Sequence, residues 1–402
     1  MSTAPIRVAD VIRSCWKQYN STHRLPPHTG NAIRKILNCR TKALGGHIHR
    51  CDQCGNEVPM YNSCQDRHCP TCQTSAKEKW LTKRRKELLP VQYFHCVFTL
   101  PHILNDLIDA NRKVLLAELF TTVNWVLQKF AHDPQWRLEG ELGILSILHT
   151  WTQQQRRHFH LHSIVPGGVW REKTKEWVHC RKKWLFKKES LAIAFRNRYI
   201  KRLRSLRKRG KLEYTGQATA LADDVAWEEL LSKLAAIKWI VYPKAVPATA
   251  EKALEYLGRY THKVAISDHR IKALIKGMVT YTWRDRSSSK GYAQASRKDN
   301  NKEKRDTISA AEFTKRFCYH ILPTGFKKIR FYGWLSAPKR KECLPAIRKA
   351  LNIPPPQEEL AKPLIDIILQ QTGVDIARCK CCGKGHMINT GRLVYPERGP
   401  PK

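Results

Sequence analysis

The chain has 402 residues, 42% of them apolar, which allows two or three domains with buried cores and excludes a disordered polymer. Lysine plus arginine number 73 against 34 acidic residues, and the resulting net charge of +39 repels itself unless a polyanion neutralises it. Nucleic acid is the expected partner, and with no run of about 18 apolar residues a membrane-spanning helix is excluded.

"MSTAPIRVADVIRSCW" lacks the apolar core of a signal peptide, so the expected location is cytoplasmic. In that reducing setting the 14 cysteines are better suited to metal than to disulfides. Residues 8–45 read as amphipathic helix, and 47–73 as a polar Cys/His segment without a core of its own. "SAKEKWLTKRRKELLP" predicts a basic helix ending at Pro90. "QYFHCVFTL" is a strand pattern, followed by helices to about residue 131. "LGILSILHTW" and "HFHLHSIVPGG" predict strands, the second closed by Pro166 and paired glycines. A long basic helix over "KKESLAIAFRNRYIKRLRSLRKRGK", a helix over "DVAWEELLSKLAAI" and a strand over "KWIVYPKAV" come next. "TAEKALEYLGRYTHK" is a helix pattern, and "VAIS" and "GMVTYTWRD" are strand patterns. Residues 285–306 carry almost no apolar side chains and read as a flexible loop. "AAEFTKRFCYHILP" is helical, "FKKIRFYGWLS" strand-like and "PKRKECLPAIRKALN" helical. Pro-rich spacers surround "ARCKCCGKGH" in the tail. Segregated helices and mixed strands predict an α+β core over 91–335. Residues 1–90 precede it as a small zinc-binding helical domain, and 336–402 follow as a basic helix and Cys-rich tail. Strand order does not follow from the pattern.

In "CDQCGNEVPMYNSCQDRHCPTCQ", Cys51 with Cys54 and Cys69 with Cys72 form two CxxC knuckles. Two knuckles complete a thiolate tetrahedron, so the spacing predicts one closed, structural Zn2+ site on these four residues. Metal would fold a segment that has few apolar residues. His47, His49, Cys64 and His68 are left for a second site, to take the place of one of these four cysteines, or for roles at the surface or beside the ligands. Cys379 and Cys382 form a further half-site with no partner pair evident nearby.

His158, His160 and His162 alternate, so a strand places them on one face, where imidazoles can converge on a divalent ion, while Phe159, Leu161 and Ile164 are expected to anchor the strand in the core or its flanks. Tyr256 and Tyr260 are four apart and share a helix face, with Arg259, His262 and Lys263 beside them as a setting for phosphate. A phenol with a pKa near 10 is a poor nucleophile unless a cation or metal assists it. Together these parts fit phosphodiester cleavage by a tyrosine oxygen, leaving a 5′-phosphotyrosine and a free 3′-OH. The link can be rejoined without ATP, and the chain has no GxxxxGK[ST] loop.

"HFHLHSIVPGG" is similar to the His-hydrophobe-His motif of the HUH endonucleases. With "YLGRYTHKVAIS", "YFHCVFTLP", "LHTWTQQ", "WIVYPKAV", "LPTGFKKIRFYGWLS" and the zinc segment, the chain resembles the two-tyrosine transposases of the insertion sequence 91 family. The resemblance implies a central antiparallel sheet flanked by helices. It implies His160 and His162 as ligands of catalytic Mg2+ or Mn2+, with His158 as ligand or neighbour. His149, Gln154 and His158 stand as candidates for a third ligand. It implies Tyr256 and Tyr260 as nucleophiles, with Lys263 beside them, in rolling-circle transfer of single-stranded DNA between element ends and target DNA in a bacterial cell, associated with the nucleoid. Phe159 stands where family members often have Pro. A replication initiator or relaxase of the same chemistry, or a non-catalytic zinc-dependent DNA-binding protein, are the alternatives. The basic helices 76–89 and 184–210 and the loop 285–306 are expected to contact the DNA backbone, with Trp80, Trp184 and Tyr199 as candidates to stack on bases, although most of these rings are expected in the core instead.

Overall fold

A computed structural model of the chain describes residues 5–180, 185–246, 258, 260–284, 303–355, 365, 366, 369 and 375–393. Its contacts divide into two units, one of residues 1–82, 266–321 and 358–402, the other of residues 83–265 and 322–357.

In the second unit five strands rich in β-branched and aromatic residues pair antiparallel, in the order Ile329–Tyr332, Ile144–Trp151, Arg157–Pro166, Tyr93–Thr99, Ile240–Val246. The side-chain period of two sorts each strand into faces. Phe94, Cys96, Phe98, Leu148, Phe159, Leu161 and Val165 enter one continuous core. The helices Arg112–His132 and Lys188–Lys208 contribute Leu119, Phe120, Val123, Leu191, Phe195 and Leu203 to it. Each such side chain stabilises the fold by roughly 1.5–3 kcal/mol on burial. The opposite face carries polar rings. His149 pairs with His160 across the sheet, His160 with Thr99, and His162 with Val97. Because the register is locked by the apolar face, a slip by one residue would bury these imidazoles in the core. Ile164, by its parity, lies on the imidazole side rather than among the core anchors, and it pairs with His95.

Tyr199 is fully buried and its Oη donates to the Leu115 carbonyl at 3.1 Å, so it is a core residue and not a base-stacking one. Trp184 lies outside the described residues. Arg202 makes two bonds to Glu118, at 2.8 and 3.0 Å, so part of the helix's positive charge is structural.

The first unit has its own core, in which Val8, Val11, Ile12, Ile33 and Ile36 meet Ile271, Val279, Tyr281, Phe313 and Phe317. The first five come from helices Val8–Thr22 and Pro27–Asn38. The others come from helix Ala310–Cys318 and the sheet Ile271–Ile275, Met278–Arg284, Glu303–Ser309. Asp268 accepts from the Val8 backbone at 2.9 Å and from Thr71 Oγ1 at 3.0 Å, tying distant segments together. A second sheet in this unit orders Met387–Leu393, Gly46–Cys51, Glu57–Tyr61.

Three expectations change. The domains are not consecutive, because residues 266–321 and the tail segment 375–393 share cores and sheets with the N-terminal helices. "VAIS" is not a strand; pairing begins at Ile271. Glu303–Ser309 is an edge strand held by backbone bonds, with too few apolar residues to be read from the pattern; 285–302 lie outside the described residues.

Candidate active site and zinc clusters

On the polar face of the five-stranded sheet, one nitrogen from each of His149, His160 and His162 lies within 4.8 Å of the other two, and all three rings are buried. Their hydrogen bonds fix where the lone pairs point. A carbonyl only accepts, so His149 Nε2 carries a proton toward the Tyr260 carbonyl at 2.8 Å and leaves Nδ1 free. His160 Nδ1 likewise donates to the His158 carbonyl at 3.0 Å and leaves Nε2 free. His162 Nδ1 meets His95 Nε2 at 2.7 Å. When His162 donates in that pair, its Nε2 also becomes a free donor atom. Burial holds all of these rings neutral. It lowers His160 and His95 to about 3 and His149 and His162 well below the usual imidazole range. Lys263 lowers all three clustered rings further, Lys328 adds to this at His149, and Lys244 acts on His95. The result is three unprotonated imidazoles beside ammonium groups, a donor set that fits a divalent transition ion better than Mg2+ and a surrounding field that favours phosphate.

His158 is not part of this group. Its Nδ1 faces His102 Nε2 at 3.0 Å instead, and His149, from the neighbouring strand, completes the trio. The alternation of the histidine strand sets its face, but only the cross-strand register brings His149 opposite His160.

Tyr260 closes the site from the last turn of a helix that ends at Thr261. Its ring centroid is 4.3 Å from that of His162 and 4.9 Å from that of His95. Lys263 follows it and is exposed; its carbonyl accepts from Lys328 Nζ at 3.4 Å. Tyr256 lies outside the described residues. His95 was not singled out from the sequence. Its signal is a polar ring inside the otherwise apolar strand "YFHCVFT".

The cysteines form two clusters, not the single one their spacing predicts. Cys69 and Cys72 join Cys39 and Cys64, while Cys51 and Cys54 join Cys379 and Cys382. Sulfurs of the first cluster are 3.6 Å apart for Cys39–Cys72 and 3.7 Å for Cys64–Cys72. A tetrahedron with Zn–S bonds near 2.3 Å has edges of about 3.8 Å, so the spacing is that of four thiolates around one zinc. The knuckles separate because Cys51 ends a strand of the three-stranded sheet while Cys69 opens helix Pro70–Arg85 beside Cys39.

Residues 11–100 match the family profile described as "Transposase zinc-binding domain" and residues 143–342 the profile described as "Putative transposase". The chain is 36% identical to "Putative transposase y4qJ" of Sinorhizobium fredii (strain NBRC 101917 / NGR234), over 100% of this chain and 99% of that one. It belongs to the insertion sequence 91 family of transposases. A second family relative, "Transposase for insertion sequence element IS801" of Pseudomonas savastanoi pv. phaseolicola, is 27% identical over 97% of this chain and 89% of its own. No solved structure matches. The family's zinc-binding profile spans all four residues of the first cysteine cluster, in keeping with a structural zinc ion, and it spans Cys51 and Cys54 as well. His149, His160, His162 and Tyr260 fall within the transposase profile. DNA is the partner of such an enzyme, in keeping with the net charge of +39, and no helix among the described residues is long and apolar enough to cross a membrane.

Proposed function

We propose that this transposase cleaves and rejoins single-stranded DNA through 5′-phosphotyrosine links, with Tyr260 and Tyr256 as nucleophiles. The observation that carries the reading is the Tyr260 ring seated 4.3 Å from His162, against a buried trio of neutral imidazoles. His149, His160 and His162 would hold a divalent cation, Mn2+ or Mg2+, which when bound would polarise the scissile phosphate. The chain's own groups do the rest. The sheet fixes the three rings, and His95 and the Tyr260 carbonyl orient two of them. Lys263 and Lys328, whose charge acts on the imidazole cluster, favour the phosphodiester anion. The tyrosine hydroxyl gives up its proton as its oxygen bonds to phosphorus, the bond to the 3′ oxygen breaks, and that oxygen takes up a proton and leaves as a hydroxyl. One phosphodiester replaces another, so the reverse attack by a 3′-OH needs no nucleotide cofactor. A second tyrosine lets one chain hold two strand ends in turn, as rolling-circle transfer requires.

The test incubates labelled single-stranded DNA carrying an element end with the protein and Mn2+. A covalent adduct resistant to denaturant is expected, and Tyr256→Phe with Tyr260→Phe abolishes it while DNA binding persists. An adduct that survives the double substitution places the nucleophile elsewhere.

A further inference from the structure

The zinc-binding profile ends at residue 100, yet two cysteines within it have their partners near the opposite end of the chain. Cys51 Sγ is 3.7 Å from Cys382 Sγ, and Cys54 Sγ is 3.8 Å from Cys379 Sγ. These are the tetrahedral edge lengths derived above, and far longer than the roughly 2.0 Å of a disulfide. The two CxxC turns are near copies of each other. In the first, the Gln53 and Cys54 amides point at Cys51 Sγ at 3.4 and 3.5 Å, and the Gly55 amide bonds the Cys51 carbonyl at 3.1 Å. In the second, the Cys381 amide points at Cys379 Sγ at 3.4 Å, the Gly385 amide at Cys382 Sγ at 3.4 Å, and the Gly383 amide bonds the Cys379 carbonyl at 3.0 Å. Gly55 and Gly383 occupy the same left-handed conformation, with φ of +69° and +65°, where a side chain is strained. Amides aimed at sulfur stabilise thiolates, the form that binds metal.

The backbone joins the two turns as well. The Asp52 amide donates to the His386 carbonyl at 3.1 Å, and the His386 amide returns to Asp52 Oδ1 at 2.8 Å. Beyond the turns, Met387–Leu393 pairs with Gly46–Cys51, which pairs with Glu57–Tyr61. The two outer strands are mostly exposed and the central Gly46–Cys51 is buried only at its ends, too little apolar burial to hold the sheet by itself.

We propose that Cys51, Cys54, Cys379 and Cys382 bind a second zinc ion and form a zinc ribbon whose two knuckles come from opposite ends of the chain. Zinc is the selected ion because four thiolates in a closed tetrahedron suit it and leave no open position for catalysis. Arg50, Arg378, Lys380 and Lys384 lie in or beside the knuckles and oppose the net −2 charge of a zinc tetrathiolate. The tail is thus part of the zinc-binding module rather than a separate appendage, and the module is complete only when both ends of the chain are present.

The test uses the full chain loaded with zinc, in a His160→Ala, His162→Ala background so that the imidazole cluster holds no metal. Two zinc ions per chain are expected. Cys379→Ser with Cys382→Ser lowers the content to one, and Cys39→Ser with Cys64→Ser does the same. Alkylation with N-ethylmaleimide and peptide mapping gives a readout that needs no cysteine variant. Exposed Cys381, outside the cluster, labels at once, whereas Cys51, Cys54, Cys379 and Cys382 label only after a chelator is added. One zinc per chain, or two retained in the Cys379/Cys382 variant, overturns the proposal. So does labelling of Cys379 and Cys382 as fast as Cys381 in zinc-loaded protein.

Discussion

His95 offers a perturbation whose size follows from one hydrogen bond. Its Nε2 lies 2.7 Å from His162 Nδ1, and the His95 ring is 5% exposed. For His162 to present Nε2 to an ion, its Nδ1 must carry the proton and donate it to His95. His95→Ala removes that acceptor, frees the ring to rotate and lowers its basicity. Losing such an outer partner typically costs 10- to 100-fold in metal affinity, or about 1.4–2.7 kcal/mol. The assay is cleavage of a single-stranded element end as a function of Mn2+. The half-saturating metal concentration is expected to rise 10- to 100-fold in His95→Ala, with the rate at saturating metal close to that of the unmodified protein. His95→Gln keeps an acceptor and should recover much of the affinity. An unchanged half-saturation in His95→Ala refutes the reasoning. A loss that neither excess metal nor the Gln variant repairs also refutes it, since His95 would then serve packing alone.

Further outcomes follow from the same geometry. His149→Ala should abolish cleavage while leaving DNA affinity nearly intact, whereas His158→Ala, which disturbs only the pair with His102, should retain most activity; gel-based cleavage and binding assays separate the two. In the metal-free protein, buried rings hold pKa values of about 3 at His95 and His160 and about 4 at His158. The unfolded chain takes up protons near pH 6.5 that the folded chain refuses, so stability should fall as pH drops from about 6.5 toward 3 and be flat above that window. Urea midpoints at pH 7.5 and 5 read the difference, and equal midpoints would contradict it. Gly333 sits at φ +62°, and a Cβ there would lie 1.7 Å from the Leu142 carbonyl oxygen. Gly333→Ala should cost about 2 kcal/mol or more and lower the thermal midpoint of the second unit by several degrees.

The strands around the site were legible because alternation and β-branched content survive in a single sequence. "HFHLHSIVPGG" sets the face of its own histidines, and Phe159 and Leu161 on the other face enter the core as expected. What was not legible was pairing. His149 and His95 join the site only through cross-strand register, which depends on which strands are neighbours. The same holds for the cysteines. Local CxxC spacing names each knuckle but not its partner, and the partner of Cys51 and Cys54 lies more than 300 positions away. Glu303–Ser309 and Met387–Leu393 were invisible as strands because they are held by backbone bonds on exposed edges, with little apolar patterning to mark them.

The central claim is that a tyrosine beside the imidazole trio becomes joined to DNA. Its most direct test is mass spectrometry of peptides from protein reacted with a single-stranded element end and Mn2+. The account predicts a nucleotide attached through a 5′ phosphate to Tyr260 or Tyr256, absent when His160 and His162 are both alanine. A covalent nucleotide on another residue, or cleavage that leaves a free 5′ phosphate and no protein adduct, would contradict it.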